Sequence, residues 1–364
     1  MKRAAAAFAV SLLAAIGAAV AQEAKEVNVY NWSDYIDPAT LKQFQAETGI
    51  KVTYDVYDSN EILDAKLRAG KSGYDLVGPT ASPFLAQQIP AGLYQPIDSS
   101  KLANLKNLDT EILTRLQRYD AGNKFALPWM WGTTGVGYNV KRVERAMKNA
   151  PVDSLRMVLD PNVVQNFKSC GVVMLDSPTD VMPAVLGYLG LEPDSARRED
   201  LDKAVEHMRK IRPHIRRFHS SEYINDLANG DICLAFGFSG DILQAANRAS
   251  EAKKGVEIGF GLPKEGAQLW FDVLAIPVDA PHPGNAHVFL DFMMRPDIAA
   301  KNASFVGYAS PNAAAFKLLD KAVREDGSIY PDEQARRRLY TITPKPRDYE
   351  EARTRAWTRI KSGR

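Results

Sequence analysis

The chain has 364 residues, 45% of them hydrophobic and 25% charged, with 46 basic against 44 acidic side chains. That length accommodates two ordinary domains. The near-balance of charge gives no support for nucleic acid or an anionic membrane surface as a partner.

Lys2-Arg3, the apolar and small residues that follow, and Ala19-Val20-Ala21 read as a secretory signal peptide cleaved near Ala21. The alternative is a retained N-terminal anchor. Cleavage removes two basic residues and no acid, which leaves 44 of each. No later segment approaches the roughly 20 apolar residues of a spanning helix. The two cysteines, Cys170 and Cys233, suit a disulfide in an exported chain, with two buried thiols as the alternative.

Strands and helices then alternate. Val27–Asn31 reads as a strand, and Asp37-Pro38 caps and starts a helix that ends before Gly49. Lys51–Asp55 is the next strand, Asn60–Ala69 the next helix and Tyr74–Gly78 a third strand, with Pro79–Pro83 opening another helix. This repetition predicts a parallel sheet with helices on both faces and ligands at the carboxyl ends of the strands. A second series runs through the strand Val172–Leu175, the helices Pro178–Leu189 and Glu199–Ile211, the strand Asp231–Gly237 and the helix Asp241–Ala252. Leu127–Gly135 suits an extended crossover between the two series. A second crossover is expected near Phe260–Pro263, because Leu269–Ile276 reads as a strand returning to the first. Asp348–Lys361 reads as a polar helix anchored by Trp357.

Four places carry candidate chemistry. Asp272 is a lone acid in the apolar strand Leu269–Ile276. Leaving even a neutral polar group unpaired there costs on the order of 2–7 kcal/mol. Either an internal Lys or Arg pairs with it, or a cationic ligand does. A period of two puts Trp270 on the same face. Trp32-Ser33-Asp34-Tyr35 follows the first strand and offers aromatic faces beside a carboxylate, a combination that suits a cation; the alternative is capping and core packing. Thr80 and Ser82 follow the third strand, either facing a cleft or capping a helix. In Phe236-Gly237-Phe238-Ser239-Gly240-Asp241, Asp241 either caps the next helix or points into a cleft beside Phe238. The spacing there is not G-x-S-x-G, so Ser239 lacks the context of a nucleophile. His207, His214, His219, His282 and His287 show no metal-ligand spacing. No metal, cofactor or catalytic residue is expected.

Several longer strings resemble the periplasmic polyamine-binding proteins of ABC transporters, above all their putrescine-binding members. They are Val29–Ile36, Tyr54–Glu61, Phe218–Ser221, Tyr223–Cys233, Leu262–Ala267 and Arg355–Lys361. The resemblance implies a two-lobed type II solute-binding α/β fold with a hinge between the lobes. It suggests 22–131 and 256–310 as lobe 1, 132–255 as lobe 2, and 311–364 packing across both. It implies a ligand box of Trp32, Ser33, Asp34, Tyr35, Thr80, Asp180, Phe238, Asp241, Trp270, Asp272 and Tyr308. Thr80 falls where the family's putrescine binders carry serine, Asp180 where they carry glutamate, Phe238 where they carry tryptophan and Trp270 where they carry phenylalanine. It further implies a Cys170–Cys233 disulfide, a periplasmic monomer, a linear polyamine as ligand and a membrane permease as partner. Selectivity for spermidine or another amine, a sensing role, and an exported hydrolase are the alternatives.

Overall fold

The computed structural model describes residues 23–363. The signal-peptide expectation lies outside the described residues.

Two α/β lobes share one ten-stranded sheet. In the first lobe, β1 (Glu26–Trp32) pairs in parallel with β2 (Lys51–Tyr57) and β3 (Leu76–Val77). The helices between them, α1 (Pro38–Thr48) and α2 (Asn60–Ala69), carry the capping chemistry their sequences predict. The Asp37 carboxylate accepts the Ala39 N–H at 2.8 Å. Ser59 caps α2 by accepting the Ile62 N–H. In the second lobe, β5 (Val172–Met174) pairs in parallel with β6 (Arg217–Phe218) and β7 (Leu234–Phe238). Around them lie α3 (Pro178–Tyr188), α4 (Arg198–Ile211), α5 (Tyr223–Asn229) and α6 (Ser239–Ala252).

The all-parallel expectation fails at the crossovers. β4 (Ala126–Asn139) is one 14-residue strand that runs through both lobes. Its first half pairs antiparallel with β9 (Ala267–Ala275), and its second half pairs antiparallel with β7 and with β8 (Ile258–Gly261). β9 also meets β3 antiparallel. Two crossing strands that run in opposite directions explain the mixed sheet, a pattern that local strand–helix alternation does not reveal. A short strand, β10 (Leu339–Tyr340), adds to the edge of β9. The helix expected to open at Pro79–Pro83 is a short helical turn broken at Ser82, whose backbone is extended.

A glycine of the crossover makes room for two rings. At Gly132, inside the extended strand, an added Cβ would fall 2.8 Å from the Trp270 ring and 2.9 Å from the Tyr308 ring. The missing side chain lets both rings lie against the backbone.

Each lobe has its own core. Phe44, Leu76, Phe289 and Tyr308 fill one face of the first lobe's sheet, and Leu63, Leu85, Phe271 and Val273 the other. Phe167, Val173, Tyr223 and Phe236 centre the second core. The C-terminal helix α7 (Arg347–Ser362) joins that second core through Tyr349, Ala356 and Trp357. The Trp357 indole stacks edge-on against Phe218 and donates to Asp176 at 2.8 Å.

Cys170 and Cys233 form a disulfide, with Cα atoms 5.6 Å apart and a sequence separation of 63. Closing a loop of that length restricts the unfolded chain by roughly 4 kcal/mol. Replacing both cysteines by serine is expected to lower the denaturant midpoint with the native fold kept, as read by urea unfolding. An unchanged midpoint would contradict the loop argument.

Candidate functional site

A cleft of about 600 Å³ opens between the lobes, where β1, β2, β7 and β9 and the starts of α3 and α6 converge. Ten of the eleven residues expected from sequence line it: Trp32, Ser33, Tyr35, Thr80, Asp180, Phe238, Asp241, Trp270, Asp272 and Tyr308. The carboxyl-end rule for ligand placement accounts for the residues after β1 and β7. The period of two along β9 places Trp270 and Asp272 on the cleft face.

Asp272 is 5% exposed, and both its oxygens accept hydroxyl protons. Thr80 donates to Oδ1 at 2.6 Å and Tyr35 donates to Oδ2 at 2.8 Å. The Thr80 hydroxyl is itself fixed. Asn60 donates to its oxygen at 2.8 Å, and the Thr80 N–H donates back to Asn60 at 3.0 Å. With its oxygen already accepting, Thr80 directs its own proton to Asp272. Thr80 and Ser82 therefore serve no cap: Ser82 donates to the Ile342 carbonyl at 2.6 Å.

Asp241 is built the same way. Tyr308 donates to its Oδ1 at 2.6 Å and Tyr223 to its Oδ2 at 2.7 Å. It sits in the first turn of α6 and caps nothing. Tyr308 belongs to the first lobe's core and Asp241 to the second lobe, so their bond crosses between lobes. Burial and the neighbouring carboxylates hold the phenols of Tyr35, Tyr223 and Tyr308 well above their ordinary range, so they remain donors. Asp180, at the start of α3, accepts from Ser177 at 2.6 Å.

Among the described residues, no Lys, Arg or His lines the cleft or forms an ion pair with Asp180, Asp241 or Asp272. Burial therefore dominates their protonation. It raises Asp272 to about 7 against the hydroxyl bonds that lower it, with Asp180 and Asp241 adding to the rise. It raises Asp241 and Asp180 each to about 6. Among the described residues, no Lys or Arg pairs with Asp272. The cleft holds several acids at close quarters with donors arranged for their charged forms.

Asp34 is the residue the cleft does not collect. It sits in a left-handed backbone conformation with φ 55°, and its side chain is exposed. It pairs with Arg248 of α6 at 2.5 Å, while its carbonyl accepts from Gln244 at 3.1 Å. The positive φ turns its side chain away from the neighbours that face inward. Asp34 thus ties the first lobe to the second at the rim.

Aromatic rings form the apolar walls. Trp32 stands edge-on to Phe238 at 6.3 Å, Phe238 to Trp270 at 5.7 Å, Trp270 to Tyr308 at 5.2 Å and Tyr308 to Tyr35 at 5.2 Å. The Trp32 indole donates to the Gly78 carbonyl at 2.8 Å, which fixes the ring. Gly240 admits the Tyr308 ring, which an added Cβ would meet at 2.5 Å.

The cleft also contains residues the site expectation omitted, among them Tyr57, Asp58, Asn60, Thr179, Ser221 and Gln268. Gln268 was within reach, since 268, 270 and 272 share one face of a strand. Tyr57 and Asp58 end β2 as Trp32 and Ser33 end β1, so the same carboxyl-end rule finds them. Tyr223, behind Asp241, carried no local signal: its role depends on α5 packing beside α6.

Residues 39–329 match the family described as bacterial extracellular solute-binding protein. The chain is 50% identical over 356 residues to the putrescine-binding periplasmic protein PotF of Escherichia coli, covering 97% of this chain and 96% of that one. It is 52% identical over 349 residues to the putrescine-binding periplasmic protein SpuD of Pseudomonas aeruginosa, covering 96% and 95%. The solved spermidine/putrescine ABC transporter substrate-binding protein PotD from Streptococcus pneumoniae superposes with a TM-score of 0.73 at 29% identity, covering 93% of this chain and 99% of that one. A two-lobed fold, a cleft between the lobes and a match over most of the chain agree: the protein belongs to the bacterial extracellular solute-binding protein family, and it is a binding protein rather than an enzyme.

Proposed function

We propose that the protein is the periplasmic capture component of a polyamine ABC importer and that its preferred ligand is putrescine. The observation that carries the proposal is an aromatic-walled cleft in which Asp272 and Asp241 are buried without a cationic partner among the described residues. A linear diamine supplies what such a cleft lacks. Its two ammonium ends meet Asp272 and Asp241, and its methylenes lie along Trp32, Phe238, Trp270 and Tyr308. Each ring facing an ammonium adds about 0.5–2 kcal/mol. The relatives named for putrescine support the same ligand class.

Both lobes contribute to the cleft, so the ligand favours the closed arrangement. The sheet supports a division in which 23–131 and the segment from β9 to 310 form lobe 1. The return to that lobe follows Gly261 rather than residue 256, because β8 pairs with the far half of β4. The segment 311–363 contributes to both lobes, β10 to the first and α7 to the second. The closed form would present both lobes of a monomer to a membrane permease. Its periplasmic location is supported by its similarity to the periplasmic proteins PotF and SpuD.

The pH dependence has a definite sign. The three aspartates have folded values raised to about 7 for Asp272 and about 6 for Asp241 and Asp180. Their unfolded values lie near about 3.9. Stability from these groups is present below about 4 and is lost as pH rises through about 6–7. A diammonium ligand reverses the preference, because it binds the ionised form. Putrescine affinity is therefore expected to rise from pH 5 to pH 8, with protons released on binding near pH 6.5. Calorimetry in buffers of different ionisation enthalpy reads both; a flat profile with no proton release contradicts the assignment.

Asp272→Asn is expected to weaken putrescine binding at least 100-fold, about 3 kcal/mol, because it removes one partner of a buried ion pair. In the ligand-free protein at pH 8 the same change is expected to raise Tm, since it relieves an unpaired buried charge. Calorimetry and thermal unfolding test it. Near-native affinity overturns the role of Asp272 as ligand. Lost affinity together with a lower ligand-free Tm assigns it a structural role instead.

A further inference from the structure

The strand that carries Asp272 brings two more polar groups to the cleft. β9 turns Gln268, Trp270 and Asp272 to one face, and all three line the cleft. Residues of one face follow each other at about 6.6 Å, so Gln268 stands about 13 Å along the strand from Asp272. The wall runs amide, indole, carboxylate. Thr80 and Tyr35 supply hydrogen bonds to the carboxylate. The other two differ: among the described residues, Gln268 Oε1 and Trp270 Nε1 are buried without a partner. Gln268 is 2% exposed and Trp270 6%.

A third such atom lies beside them. β10 pairs in parallel with the start of β9 and sets Tyr340 next to Gln268. Residues paired in this register turn their side chains to the same face of the sheet. The Tyr340 hydroxyl is also buried without a partner among the described residues, so it does not pair with the Gln268 amide. Unpaired buried polar atoms are costly, and three on one face of a cleft mark a place where a polar group of a ligand is accommodated.

The chemistry of the three atoms selects that group. Gln268 Oε1 accepts a hydrogen bond, the Trp270 indole N–H donates one, and the Tyr340 hydroxyl has a proton to donate. An ammonium or guanidinium only donates, which satisfies Gln268 and leaves both donors unpaired. A carboxylate only accepts, and it would enter a cleft lined by Asp180, Asp241 and Asp272. An amide does both and carries no charge. Its N–H pairs with Gln268 and its carbonyl with a donor. We propose that the Gln268 end of the cleft is a subsite for an uncharged amide, and that the protein also takes a mono-N-acylated polyamine. Such a ligand keeps two ammonium groups for Asp272 and Asp241, lays methylenes past Trp270 and brings its acyl amide to Gln268. Gln268 is then a specificity-determining residue, on which putrescine, held between Asp272 and Asp241, does not draw. The proposal rests on the polyamine assignment above.

Calorimetry on ligand-stripped protein tests it with three ligands: putrescine, putrescine with an acetamidopropyl arm on one nitrogen, and putrescine with a hexyl arm there. The two arms match in length and differ in the amide. The hexyl arm gains more from leaving water, so the quantity read is the change in their affinity ratio between proteins. Gln268→Met keeps a similar size without the amide. It is expected to shift the ratio about tenfold toward the hexyl compound while putrescine changes less than about twofold. Tyr340→Phe is the second variant and is expected to shift the ratio the same way by a smaller factor. Ligand-free thermal unfolding checks that both variants are folded. An unmoved ratio in folded Gln268→Met protein, a parallel loss for all three ligands, or no binding of the acetamido compound to the unaltered protein overturns the proposal. Failure of putrescine to bind the unaltered protein would instead overturn the polyamine assignment.

Discussion

A buried carboxylate with hydroxyl partners and, among the described residues, no cationic one governs this molecule. Thr80 and Tyr35 satisfy the hydrogen bonds of Asp272, but neither neutralises its charge. A hydroxyl pair makes an anion tolerable inside a protein, whereas a lysine or arginine would have made it stable and inert. The fold thus keeps an electrostatic deficit at the centre of its cleft. Asp241 repeats the arrangement with Tyr308 and Tyr223.

The rest of the structure serves to hold those two aspartates in position. β9 carries Asp272 in register with β4, and the Thr80 backbone pairs beside it. α6 begins directly after β7, which places Asp241 one turn in, facing the first lobe. Gly132 and Gly240 let Trp270 and Tyr308 press against the main chain at the wall of the cleft. Since Tyr308 and Asp241 come from different lobes, the electrostatics of the site and the approach of the lobes are one property. Asp34 and Arg248 add a tie at the rim. Asp34 therefore belongs to the tie between the lobes rather than to the lining of the cleft.

Much of this was legible in the amino-acid order. α2 runs from Asn60 to Ala69 and α1 from Asp37-Pro38 to Gly49, the bounds their sequences suggest. Asp272 and Trp270 were readable as one face of a strand. The choice between an ion pair and a bound cation was not, because it depends on which residues 200 positions away arrive at the same point. Tyr35 and Thr80 are such residues, at sequence separations of 237 and 192. The mixed direction of the sheet was hidden for a similar reason: β4 reads locally as a crossover, and only its pairing with β9 and β8 reveals one strand shared by two lobes. Asp34 misled because its neighbours Trp32, Ser33 and Tyr35 all face inward, while one left-handed residue turns outward.

The central claim is that two separate buried charges, not the apolar walls, select the ligand. Calorimetry of putrescine, butylamine and 1,4-butanediol against the ligand-stripped protein tests it most directly. The three share a four-carbon chain and differ in carrying two, one and no positive charges. The account predicts firm binding of putrescine, a loss of several kcal/mol for butylamine, which leaves one buried aspartate unpaired, and no measurable binding of the diol. Comparable affinity for butylamine and putrescine would contradict it.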